Sequence, residues 1–430
     1  MRRSLRAGAI AVAAATALVT AGCGSTPGGD DPVNLTFWSW APNIENVVDI
    51  WNAEHPDIQV TVSKQDGGDP ALTKLLTAIK AGSGAPDLIQ AEYQKIPTLV
   101  SSDALADISD GAQDLAGKFP ESIWNNVTLG GDAVYAVPQD SGPMMFFYRE
   151  DIFAELGLDA PETWEDYAEA ARVVHASDPS RYLGTFSAND PGWFTGLAQQ
   201  GGTSWWSVSE DAWGVDIDSE ASSKVASFWG SLVEEGTISN QPMYTPDWNS
   251  GLNNGNQVGW LSAVWAPGVL EGNAADTAGL WRAAPMPQWD PANPATGAWG
   301  GSSTGVTTQS QHVDEATEFA AWLNTDPDAV KALAEETGVY PAASEEAAAV
   351  LTEAPEFFSN QPDFYDVVNG VSQTVSPFTY GPNVNVAFSA FNDEFAKAAE
   401  TKTKSAFTAA LESMQNITVS NLKDSGFNVK

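Results

Sequence analysis

Cysteine is almost absent from this chain: Cys23 is the only one in 430 residues. A single cysteine rules out an intramolecular disulfide, so the body has to be held by a large apolar core. It also rules out a thiol nucleophile downstream of Cys23. Histidine is nearly as scarce. His55, His175 and His312 stand far apart, none with a second ligand at helical spacing, so no zinc-type set is expected. Basic residues are few: 19 Lys and Arg face 56 Asp and Glu, for a formal net charge of −37. That balance disfavours nucleic acid and anionic membranes as partners, because both repel an acidic surface. Beyond the N-terminus no run approaches the roughly 20 apolar residues of a membrane span. Neither a Walker A run nor a nucleophile elbow is expected. No cofactor is implied. Asp216, Asp218 and Glu220 alternate like a calcium loop but lack its central glycine and later glutamate, and read as a solvated turn.

The N-terminus carries an address. Arg2, Arg3 and Arg6 precede an apolar stretch from Ala7 to Val19, and Thr20-Ala21-Gly22-Cys23 follows. A basic start, a short apolar segment and small residues before a cut make a secretory signal. The segment resembles a bacterial lipoprotein signal, with Thr20 where leucine is usual, which implies a signal peptide over 1–22 and lipidation of Cys23. The Arg2-Arg3 pair matches a twin-arginine signal only weakly, so general secretion is the default. Residues 23–32 then form a flexible tether, since GSTPGGDDP has no apolar residue to bury. Removing three arginines with the signal takes the net charge from −37 to −40.

The remaining chain of roughly 400 residues exceeds one ordinary domain, so two lobes are expected. Val33–Trp38 alternates at strand period. Ile44, Val47, Val48 and Trp51 follow at helical spacing, Ile58–Val62 reads as a strand, and Asp69-Pro70 opens a helix bearing Leu72, Leu75, Leu76 and Ile79. Pro86–Ile89 restarts a strand, and this alternation argues for α/β with parallel pairing. Pro138–Pro143 and Gly338–Pro341 look like crossovers between lobes. Thr163 caps one helix and Glu220–Glu235 forms another. Residues 240–301 read as loop-dense with short strands, the natural place for binding groups.

Seventeen tryptophans stand out against this background. An indole offers a broad apolar face and one N–H donor, which suits the C–H faces and hydroxyl edges of a sugar. Trp51, Trp164, Trp229 and Trp322 sit on helical patterns and read as packing. Trp38, Trp40, Trp248, Trp265 and Trp299 lie at loops or strand ends and are candidates for a recognition cleft. Of the adjacent pair Trp205-Trp206, at most one would face it.

The order of LTFWSW, GSGAPDLIQAEY, YAVPQDSGPMMFFYRED, APETWEDYAEAARVV, GNQVGWLSAVWAPGVL, GGSSTGV and GVYPA resembles the family 1 extracellular solute-binding proteins of ABC importers. The likeness spans essentially the whole mature chain. It implies a two-lobed periplasmic-binding-protein-like α/β fold with a ligand cleft between lobes, and docking of the closed form on a permease. It implies lobes of 33–140 plus 300–340 and 141–299 plus 341–430, with hinges at Asp140–Gly142, Trp299–Ser302 and Gly338–Pro341. Matching positions place ligand-facing groups at Trp38, Trp40, Glu92, Tyr93, Asp140, Ser141, Trp265, Gly300, Gly301 and Ser302. Local context adds Trp193, Trp248, Trp299 and Tyr340. A lipid-anchored monomer that delivers a carbohydrate is the expectation. Alternatives are a polyamine or other cationic ligand held by cation–π contact, a secreted glycoside hydrolase using two carboxylates, and a surface adhesin.

Overall fold

Val33–Ser39 (β1) turns Leu35 and Phe37 into an apolar core and leaves Asn34 and Thr36 outside. The computed structural model of the chain describes residues 32–209 and 212–430. The signal segment, Cys23 and nearly all of the tether therefore lie outside the described residues. β1 pairs in parallel with Ile58–Lys64 (β2) on one edge and Leu88–Glu92 (β3) on the other. The helices Ile44–Glu54 and Asp69–Ala81 make the crossovers, as parallel pairing requires. Gly68, at φ 70°, takes the N-cap of the second helix; Asp69 and Pro70 open its first turn.

The expected crossover at 138–143 is the middle of one long strand, Ala136–Arg149 (β4), which pairs with different partners in its two halves. Register shifts between Pro138 and Asp140, and again between Ser141 and Pro143, mark bulges. Bulges are where a strand tolerates proline and changes direction. A small hairpin follows, Trp206–Ser209 (β5) and Ala212–Val215 (β6). In the second lobe β4 is flanked by antiparallel Gly259–Ala263 (β7) and Trp281–Pro285 (β8). Ala298–Val306 (β9) runs antiparallel to both β3 and the first half of β4. The main sheet thus mixes parallel and antiparallel pairs, not parallel ones alone.

Residues 240–301 are more ordered than their composition suggests. They hold the helices Pro246–Asn254 and Ala266–Ala274 and the strands β7 and β8. Thr245 caps the first helix by accepting from the Trp248 amide, with Pro246 at its first position and Gly255 (φ 82°) closing its end. Thr163 caps its helix as predicted, and the structure adds a reciprocal bond to Asp166 that completes a capping box; the helix Glu220–Glu235 is as expected.

Two separate cores form. One joins Phe37, Trp51, Leu75, Leu88, Phe319 and Leu323, and it extends to Ala342 and Ala343. The other is aromatic: Trp229 meets Trp164, Tyr167 and Trp193 edge-on at 6.1, 5.7 and 5.0 Å. Such pairs each contribute about 0.5–1.5 kcal/mol beyond buried area. Trp205 and Trp206 are both buried there, so neither faces a cleft. Tyr380 packs against both cores. No helix among the described residues is long and apolar enough to cross a membrane.

Candidate functional site

Three stretches of chain run side by side where the cores meet. Asp140 pairs with Ser302 and Ser141 with Gly301 across β4 and β9. On the other side the Ser141 amide donates to the Tyr340 carbonyl at 2.9 Å, and the Ala342 amide to the Gln139 carbonyl at 3.1 Å. Gly300 and Gly301 adopt φ of 84° and 100°, which an L side chain resists. At Gly301 a Cβ would also lie 2.7 Å from the Tyr93 ring, and at Gly142 only 2.1 Å from the Trp299 carbonyl oxygen. The glycines are what let these stretches touch.

Asp140 faces inward along this line. Its carboxylate accepts from the Ser302 amide at 2.8 Å and the Ser302 hydroxyl at 2.6 Å. Burial pushes its pKa up to about 6 against the pull of those two bonds. Tyr93 is buried, and its hydroxyl donates to the Asp140 carbonyl at 2.8 Å. Burial, with Asp140 adding to it, holds that phenol well above its ordinary range. Tyr340 is buried too, and its hydroxyl donates to Asn369 of the second lobe at 3.0 Å. These residues line the place where β4, β9 and residues 340–342 run side by side.

From the first lobe, Glu92 pairs with Ser302 and stands beside Lys95, Asp69 and Asp140. Burial raises its pKa and Lys95 opposes the rise. The buried Lys95 ammonium holds the Asp69 carboxylate and donates to Asn385 of the other lobe at 2.7 Å. Thr98 donates to the Pro382 carbonyl at 3.0 Å, so the lobes touch twice here. Trp40, Gln90, Glu92 and Lys95 line one small recess. Trp38, two residues back, is embedded in the first core, with the Lys74 ammonium 4.2 Å above its ring.

From the second lobe, the Trp265 indole donates to the Trp299 carbonyl at 2.9 Å, and the two rings meet edge-on at 4.7 Å. Asp190 caps the helix Pro191–Gln200 and lies beside the Trp299 indole. Burial pushes its carboxyl up to about 6, against hydrogen bonds from the Trp193 amide, the Trp299 indole and the Gly192 amide. Tyr244 is 43% exposed, with its ring 6.4 Å from Trp299, and it is held at φ 64°. A left-handed tyrosine is a strained residue, and strain of that kind collects at functional sites. Trp193 and Trp248 lie behind this layer, 1% exposed each; the Trp193 indole donates to the Leu261 carbonyl at 3.0 Å.

The structure therefore brings Trp40, Glu92, Tyr93, Asp140, Ser141, Trp265, Trp299, Gly300, Gly301, Ser302 and Tyr340 to one zone, and puts Trp38, Trp193 and Trp248 in the cores. Sequence reasoning passed over Gln90, Lys95, Asp190 and Tyr244. Asp190-Pro191 was legible as a helix start; nothing local marked the others. Residues 301–305 read GSSTG, formally a nucleophile elbow, but they lie inside β9 with no helix after them. Ser303 is fully buried and donates to the Ala91 carbonyl at 3.0 Å, which is no place for a nucleophile. Among the described residues no group of three or more His, Cys, Asp or Glu could hold a metal.

Residues 38–330 match the family model of the bacterial extracellular solute-binding proteins. An arabinooligosaccharide-binding protein of Bacillus subtilis is 23% identical over 418 residues, covering 93% of this chain and 92% of that one. Its counterpart in Halalkalibacterium halodurans is 27% identical over 310 residues, covering 68% of each chain. The galacto-N-biose/lacto-N-biose I-binding protein of an ABC transporter from Bifidobacterium longum, solved with lacto-N-biose, superposes with a TM-score of 0.82 at 28% identity. It covers 94% of this chain and 100% of its own. By this family match over most of its length, the chain belongs to the bacterial extracellular solute-binding proteins.

Proposed function

We propose that the protein captures a neutral oligosaccharide or glycoside between its lobes and delivers it to an ABC importer by hinge closure. The observation that carries this reading is the gathering of groups from both lobes around Trp299–Ser302: Trp265, Tyr244 and Asp190 from one, Glu92 and, through Gln90, the Trp40 loop from the other. Aromatic faces cover the C–H surfaces of a sugar ring while carboxylates accept from its hydroxyls. A ligand drives closure only through contacts that exist in the closed form, which requires groups from both sides. Rocking would take place where β4, β9 and residues 340–342 cross. We assign 33–140 with 300–340 to the first lobe and 141–299 with 341–430 to the second, with Ala342 and Ala343 still packed in the first core. Cleavage before Cys23 and its lipidation would tether the protein outside the membrane, within reach of the permease.

The relatives named above carry saccharides in their names, which supports a sugar over a cationic ligand, and they are binding proteins, which supports capture over hydrolysis. Calorimetric titration of the tether-free protein with arabino- and galacto-oligosaccharides tests this, with spermidine as control. Salt-insensitive micromolar binding to one saccharide series is expected. Salt-dependent spermidine binding with silence across the sugars would refute it. Turnover of a chromogenic glycoside would refute the non-enzymatic reading.

A further inference from the structure

Gln90 is a polar residue in the middle of a buried strand, 2% exposed. Its side chain nonetheless makes four hydrogen bonds. The amide oxygen accepts from the Ser39 hydroxyl at 2.7 Å and from the backbone amides of Trp40 and Ala41 at 3.2 Å each. The amide nitrogen donates to the Ser302 hydroxyl at 2.9 Å. Three donors crowd the oxygen, so the reverse orientation would set N–H against N–H, and the amide has one permitted direction. The Ser302 hydroxyl gives its only proton to Asp140 at 2.6 Å, so toward Gln90 it can only accept. Every link is therefore directed the same way: loop N–H to Gln90, Gln90 to Ser302, Ser302 to the Asp140 carboxylate.

A directed chain that ends on a carboxylate is mutually polarised, each bond strengthening the next in a low-dielectric interior. Here it spans the distance from the Trp40 loop to the paired strands β4 and β9. We infer that Gln90 is a positioning residue that ties the Trp40 loop to the hinge, so that the loop and Ser302 hold or loosen together. This rests on the reading of Trp40 as a cleft residue only for its functional consequence; the coupling itself needs no sugar.

The test is ligand-free hydrogen–deuterium exchange of the folded protein, wild type against Ser302→Ala and Gln90→Leu. Ser302 bonds to Gln90 and Asp140, whereas the Trp40 and Ala41 amides bond to Gln90 and Ser39, so a purely local role for Gln90 leaves those amides unmoved in Ser302→Ala. Coupling predicts exchange about fivefold faster at Trp40 and Ala41 in that variant, the effect of about one net hydrogen bond. Ser302→Thr, which keeps the hydroxyl, should exchange as wild type. In Gln90→Leu both Trp40–Ala41 and Ser302 should lose protection. Unchanged exchange at Trp40 and Ala41 in Ser302→Ala overturns the inference. A wild-type protein that binds none of the sugars titrated above overturns the carbohydrate reading and leaves the exchange result standing.

Discussion

Replacing Tyr244 by glycine and by alanine separates two things the residue does. The residue is 43% exposed and its ring lies 5.5 Å from Trp248 and 6.2 Å from Trp260, so about half of the side chain is packed. Removing a half-buried aromatic uncovers on the order of 100 Å², worth about 2.5 kcal/mol. The backbone adds a second, opposite effect. At φ 64° an L residue is held where its Cβ crowds the carbonyl, at a cost of about 1–2 kcal/mol. Glycine escapes that cost but gives back about 0.5–1 kcal/mol in backbone entropy. Tyr244→Ala should therefore lose about 2.5 kcal/mol, and Tyr244→Gly about 0.5–1 kcal/mol less. Both lose the ring, so both should bind the cognate sugar about tenfold more weakly, ~1.4 kcal/mol. Paired thermal melts rank the stabilities and calorimetry reads the affinities. An alanine variant as stable as the glycine variant refutes the strain argument. Unchanged affinity in both removes Tyr244 from the cleft.

Trp265→Ala should weaken sugar binding by about 1–3 kcal/mol, since it deletes both a platform and the edge contact that aligns Trp299; calorimetry with unchanged affinity would exclude the residue. Asn385→Ala removes the second-lobe partner of Lys95, and apparent affinity should fall about tenfold because closure loses a charge-assisted bond; small-angle scattering should show a larger unliganded particle, and an unchanged one would sink the idea. Asp140 and Asp190 both titrate near 6 in the folded protein against 3.8 unfolded. The folded state thus binds protons more tightly, so stability falls as pH rises from about 4 to 6 and levels off above. The melting temperature should be higher at pH 5 than at pH 7.5, with a smaller difference in Asp190→Asn. Equal or lower stability at pH 5 would contradict the burial argument.

Much of the local structure was legible. The stripe of Ile44, Val47, Val48 and Trp51, and the cap at Thr163, are governed by neighbours within a turn or two. What failed depends on partners far away in sequence. Pro138–Pro143 looks like a break between two ordered stretches because proline and glycine break isolated strands; only β9 on one side and residues 340–342 on the other keep it extended. Trp193 and Trp38 sit at element ends, where a cleft or a core is equally open to them. Packing decided both: Trp229 takes one, and the first core with Lys74 above it takes the other. Most of the tryptophans that suggested a sugar site are buried, so composition pointed to recognition partly for the wrong reason. Tyr244 escaped notice because a positive φ leaves no trace in side-chain pattern, and Gln90 because a lone amide in a strand looks like noise.

The sharing of β4 and β9 between lobes also governs the order in which the chain can fold. The first core needs Val306, Phe319 and Leu333 as well as Leu35 and Phe37, and it reaches Ala343. About three hundred residues must therefore be available before the N-terminal lobe can close its own core. Contacts of such long separation are slow to form, because the intervening chain must lose its freedom first. For a protein that leaves the cell this delay is useful. A nascent chain whose leading half cannot collapse into a finished lobe stays open for longer before it is exported.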